Sequence, residues 1–175
     1  MKNIILFIMF IFLPGCAGMP KGINPVEGFE LRRYLGTWYE IVRLDHSFER
    51  GLESVTAEYS LRSDGGVRVI NRGFDPKAGK WKQAKGKAYF VKDPQVGRLK
   101  VSFFGPFYGA YNIIDLDQDQ YSYAMVCGPD KSYFWLLARE PDMPEPLKTA
   151  LIQKARELGF DTKKLIHVQH EAGQP

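Results

Sequence analysis

The sequence predicts an all-β domain of eight short antiparallel strands, closed as a barrel or a sandwich, with one α-helix near its C-terminal end. Three observations carry this. From residue 37 to residue 139, short runs alternate apolar and polar side chains, the two-residue period of a strand with one buried face. Turn signals such as Ser63-Asp64-Gly65-Gly66, Asp75-Pro76 and Asp93-Pro94 separate them, as expected for consecutive hairpins. Only residues 144–158 change to a helical period. The 175 residues suffice for one domain with a single core, and no internal repeat divides them.

Residues 30–35 suit one helical turn, ended by Gly36. The strands are expected at 37–44, 54–61, 67–74, 80–91, 98–104, 108–116, 121–128 and 133–139. The second alternates cleanly, with Val55, Ala57, Tyr59 and Leu61 on one face and Ser54, Thr56, Glu58 and Ser60 on the other. The third puts Val69 and Asn71 on one face, and the fourth Ala88 and Phe90. In the helix, Leu147, Ala150, Leu151, Ala155 and Leu158 share an apolar face, and Gly159 stops it. Pro144 and Pro146 fit its first turn. Residues 164–169 read as a short last strand. Periodicity alone leaves barrel and sandwich open.

The N-terminus has its own signature. Lys2 precedes ten uninterrupted apolar residues, 4–13, too few for a transmembrane helix of roughly 20 but right for a signal-peptide core. The following Leu13-Pro14-Gly15-Cys16 resembles the lipobox of bacterial lipoproteins. That resemblance implies cleavage before Cys16, lipidation of its thiol, and a division into leader (1–15), lipidated tether (16–28) and folded domain (29–175). Ala17 and Gly18, with no aspartate directly after the cysteine, resemble the sorting pattern for the outer membrane, with the periplasmic face as the expected side. Multiple acyl chains anchor stably where one is marginal.

With 24 Lys and Arg against 20 Asp and Glu, interleaved along the chain, there is no basic run of the kind nucleic-acid binders carry. If Cys16 holds lipid, Cys127 has no disulfide partner, and its setting in Ala124-Met125-Val126-Cys127 is that of a buried structural thiol. His46, His167 and His170 are too scattered for a metal set, no nucleophile or phosphate-loop motif is present, and no cofactor is expected.

Gly36-Thr37-Trp38-Tyr39 matches the G-x-W-Y signature of lipocalins, at the start of the first strand after a helical turn, and Arg139 ends the last barrel strand just before the helix. The middle motif is reduced to Asp117 in Leu116-Asp117-Gln118. Residues 36–41 (GTWYEI), 102–109 (SFFGPFYG) and 124–129 (AMVCGP) resemble the bacterial outer-membrane branch of that family, akin to apolipoprotein D and plant temperature-induced lipocalins, over about residues 25–170. The resemblance implies an eight-stranded up-and-down barrel with the helix packed outside. It implies that Gly36, Trp38 and Arg139 close one end, the guanidinium lying over the indole.

Alternation inside such a barrel turns Ala57, Asn71, Phe90, Phe103, Tyr111 and Trp135 toward a ligand cavity, with Ala57 and Ala88 leaving room. Glu40, two residues after Trp38, is expected inward near the floor with Arg139 as candidate partner. The resemblance implies reversible binding of a fatty acid or lysophospholipid by a membrane-anchored carrier, for transport, storage or scavenging. Loop 45–52 is expected at the mouth, with Phe48 against ligand or bilayer, and a homodimer covering an exposed aromatic rim is compatible with this. Two other readings stay open: an enzyme using Cys127 inside the barrel, and a structural envelope lipoprotein whose barrel is filled.

Overall fold

The computed structural model describes residues 18–170. Strands β1 (Gly36–Arg43), β2 (Glu53–Leu61), β3 (Val67–Asp75), β4 (Lys80–Phe90), β5 (Arg98–Phe104), β6 (Phe107–Leu116), β7 (Tyr123–Cys127) and β8 (Phe134–Ala138) form an antiparallel meander. β1 pairs with β2 through its first half and with β8 through its second, so the sheet closes on itself as a barrel. A short helix, α1 (Leu31–Tyr34), precedes β1, and α2 (Glu145–Glu157) follows β8. The chain ends in a 3₁₀ turn and a two-residue strand, β9 (Ile166–His167), on β1.

The alternation of each strand sorts the apolar side chains into two cores. The inner one includes Trp38, Tyr59, Val69, Leu99, Ile113, Val126 and Leu137. The outer one lies between the barrel wall and α2 and includes Val42, Met125, Phe134, Leu136, Leu151, Ala155 and Phe160. α2 starts with Pro146 in its first turn, where a missing N–H costs nothing, and Gly159 follows its end at φ +86°. Ala150 is exposed, and Ile152 packs in its place.

Three departures from the expected pattern have local causes. β7 begins at Tyr123 because Asp117 organises the preceding turn: its carboxylate accepts from the amides of Asp119, Gln120 and Ser122 and from the Ser122 hydroxyl. Tyr121 sits inside that turn at φ 55°. β9 is short because only the edge of β1 that β2 vacates after Tyr39 is open to it. Residues 18–28, expected as a spacer, lie along the barrel instead: Ile23 is buried in the outer core, and Val26 exchanges backbone hydrogen bonds with Ile113 and Gly97.

Candidate ligand cavity

One end of the barrel is sealed. α1 crosses it and stacks Tyr34 on Trp38 at 4.7 Å. The Trp38 indole donates to the Tyr34 carbonyl at 2.8 Å. From the far end of β8, the Arg139 guanidinium lies 4.0 Å from the indole centroid. Its three nitrogens donate to the carbonyls of Tyr121, Thr37 and Arg33. This ties β1, α1 and the β6–β7 turn together, with a delocalised cation on the one apolar face that can use it. Gly36 makes the approach feasible: it sits at φ +97°, and a methyl group there would meet Arg139 Nη1 at 3.4 Å.

Above the floor is a chamber of about 100 Å3. Ala57, Val69, Leu99, Val101, Val126 and Leu137 form much of its wall. It is continuous with a wider vestibule of about 420 Å3 through shared walls at Phe48, Glu49, Val55, Asn71 and Phe103. The chamber is smaller than the void of about 150 Å3 that holds a benzene ring in a well-studied protein core. A ligand with a long chain therefore has to occupy chamber and vestibule together. The void speaks against the alternative of a filled barrel.

Besides Asn71 and Thr56, two polar clusters interrupt the apolar lining. Near the floor, the Tyr111 hydroxyl bonds to those of Tyr34 at 2.7 Å and Tyr59 at 2.8 Å. Burial raises the pKa of all three, so they stay protonated. Two of their three protons serve the mutual bonds, which leaves one donor for a ligand oxygen.

Higher on the wall, a bulge in β1 between Glu40 and Val42 brings both Glu40 and Arg43 inside. Arg43 Nη1 donates to Glu40 Oε1 at 2.6 Å, and Nη2 reaches the carbonyls of Glu49 and Leu52. Glu49 accepts the Trp135 indole N–H at 3.1 Å. Glu40 therefore pairs with Arg43, not with Arg139 as expected. Burial raises the pKa of both carboxyls, and the charge of Glu49 pushes Glu40 further up. His46 stacks on Phe48 at 4.1 Å, and burial pulls its pKa down to about 4.

Of the residues expected at the cavity, Ala57, Asn71, Phe103, Tyr111 and Trp135 line it. Phe90 does not: it packs edge-on against Phe29, ring centroids 6.0 Å apart, beside the sealed end. Cys16 lies outside the described residues. Cys127 belongs to the outer core, not the cavity, and burial pushes its thiol up to about 12, so no thiolate forms near neutral pH. That removes the candidate nucleophile. Sequence reasoning missed Tyr34 and Glu49 as lining groups and Arg43 as the buried partner behind the carboxyls. Nothing in the spacing marks the bulge that turns Arg43 inward, or the loop geometry that returns Glu49 to the wall.

The mouth lies opposite the floor, where the β1–β2, β3–β4, β5–β6 and β7–β8 connections gather. Its rim carries exposed aromatics: Phe104 is 82% exposed and Phe107 75%, with Phe48, Trp81 and Phe103 nearby. A closed antiparallel barrel with an external helix, one sealed end and an apolar interior defines a calyx-type binding protein.

The chain belongs to the lipocalins, with residues 29–170 matching the Lipocalin-like domain. Over 171 residues it is 53% identical to outer membrane lipoprotein Blc of Vibrio cholerae, covering 98% of this chain and all of that protein. It is 55% identical over 150 residues to outer membrane lipoprotein Blc of Escherichia coli K12, covering 86% and 84%. Apolipoprotein D of Mus musculus is 32% identical over 176 residues, covering 90% and 92%. Among solved structures, insecticyanin from the tobacco hornworm superposes with a TM-score of 0.71 at 21% identity, covering 89% of this chain and 88% of that one. Family and cavity together make this a binder of small hydrophobic ligands.

Proposed function

We propose that the protein is a lipid-anchored outer-membrane carrier that reversibly binds a single-chain lipid, a fatty acid or a lysophospholipid. The chain would be buried in chamber and vestibule, and the mouth would be held against the bilayer. The observation that carries this reading is the apolar void, sealed at one end by the Trp38–Arg139 stack and open at the other. A buried methylene contributes about 0.8 kcal/mol. A chain of about sixteen carbons therefore offers enough to offset the costs of ordering protein and ligand.

The anchor supports the orientation. Two relatives bear the name outer membrane lipoprotein, and Cys16 closes a lipobox-like sequence. Only two residue steps separate Cys16 from Gly18, a reach of about 7 Å. The Gly18 carbonyl accepts from Asn112 Nδ2, which also donates to Gly128 in the β7–β8 connection at the mouth. A bilayer at Cys16 therefore lies beside the aromatic rim rather than beside the sealed floor. The rim is assigned to lipid ahead of a second copy of the chain for this reason.

Two measurements test the reading. Mass spectrometry of protein taken from membranes without delipidation should find a single-chain lipid near one per barrel; none above background would sink the cavity reading. Unlipidated C16S protein should bind phospholipid vesicles through the rim. Aspartate at both Phe104 and Phe107 should weaken that binding at least tenfold. Unchanged vesicle binding together with halved mass in solution would assign the rim to a homodimer instead.

A further inference from the structure

The polar wall of the cavity is built unevenly. Glu40 and Glu49 both line the chamber, and Glu49 continues into the vestibule. Their cationic partner stands behind them. Arg43 is 1% exposed and is not part of the lining, and two of its nitrogens are taken by Glu40 and two backbone carbonyls. His46 is also buried. Its Nε2 approaches Glu49 Oε2 at 3.4 Å, and neither ring nitrogen makes a hydrogen bond. The chamber therefore meets two carboxyls and the aromatic rings of Trp135 and Phe48, with no cationic side chain among its described lining residues; the vestibule above adds Arg72 and Lys82, the latter paired with Asp75 at 2.7 Å.

Charge balance decides what such a wall accepts. Two carboxyls against one guanidinium leave one negative charge too many for a buried site, so the pair keeps one proton between them. A ligand carboxylate or phosphate placed there adds further negative charge. A ligand ammonium can replace the shared proton and leave the wall neutral. The aromatic rings of Trp135 and Phe48 in the same lining favour the same cation.

We infer that Glu40 and Glu49 form a head-group subsite that selects single-chain amphiphiles with a positively charged nitrogen over those with a carboxylate head. This rests on the cavity reading above and narrows the ligand class within it. Binding of a quaternary ammonium releases the shared proton to solvent, and no bond other than that O–H is broken.

The pH dependence follows from the exchange. The groups around the pair are Arg43 on β1, His46 of the β1–β2 loop, Tyr59 on β2 and Trp135 on β8, with Arg72 on β3 and Lys82 on β4 sharing the vestibule with Glu49. His46 is neutral above about 4, the burial of Tyr59 keeps it protonated, and Asp45 is held ionised by Arg50. The carboxyl pair, with its raised pKa, is the group that supplies the pH dependence. Its proton competes with the ligand, so ammonium affinity rises with pH by up to about tenfold per unit until the pair is ionised.

The test uses three probes of equal chain length on the full protein: dodecyltrimethylammonium, dodecanol and dodecanoate. Calorimetry in buffers of different ionisation enthalpy should find close to one proton released per ammonium bound and none for dodecanol. The ammonium should bind at least tenfold tighter than dodecanoate, with dodecanol between them. Glu49→Gln keeps an acceptor for the Trp135 indole. It should abolish proton release and bring ammonium and dodecanol to within twofold of each other. Equal binding of the three probes to the unmutated protein, or a preference that survives Glu49→Gln, would overturn the inference while leaving the cavity reading intact. Should Glu49→Gln not fold, proton release by the unmutated protein decides the question. Failure of dodecanol and ammonium alike would overturn both readings.

Discussion

Trp38→Ala should lower the melting temperature by on the order of 10 °C. Truncating a fully buried tryptophan costs roughly 3–5 kcal/mol, and in a domain of this size each kcal/mol corresponds to about 2–4 °C. The indole also holds α1 through its bond to the Tyr34 carbonyl and carries the Arg139 guanidinium. Removing it leaves that cation over a void. Arg139→Ala should cost less, because the carbonyls it serves lie close enough to solvent to recruit water. The double variant should be more stable than the sum of the two losses implies, since the pair acts as one unit. Thermal unfolding of the four proteins measures this, and simple additivity would show that the stack is incidental.

Ala57→Phe should abolish ligand binding without unfolding the barrel. Ala57 lies on the chamber wall, next to Trp38 in the β1–β2 register and Asn71 in the β2–β3 register. A phenyl ring there projects into the void of about 100 Å3. In a packed core such an insertion costs about 1–3 kcal/mol, but here the space exists. We expect affinity for a fluorescent fatty-acid probe to fall at least 100-fold while the melting temperature stays within a few degrees. Binding that survives the substitution would locate the ligand outside the chamber, at the rim or in the outer vestibule.

These expectations differ in how far the sequence alone leads to them. Val55, Ala57 and Tyr59 declare their shared face by spacing, because strand geometry turns every second side chain the same way. The Gly36-Thr37-Trp38 signature and the distant Arg139 are legible only through their resemblance to the lipocalin pattern, which implies that they close one end. Phe90 has the right parity and still misses the cavity: it sits at the height of Phe29, and parity gives side but not depth. Glu40 is similar, correctly inward but bound to Arg43, because a bulge resets the alternation of β1 after it.

By itself, then, the order of residues determined the all-β class, the eight strands, the external helix and which faces are buried. These follow from local periodicity and turn chemistry, which act over a few residues. Only the tertiary structure decided that the sheet closes on itself, that a void remains, that residues 18–28 run along the wall, and that Glu40, Arg43, Glu49 and Trp135 meet. Those outcomes depend on contacts between distant segments, such as Tyr39 and Ala138, 99 positions apart where the sheet closes, and on one bulge that leaves no mark in composition or spacing.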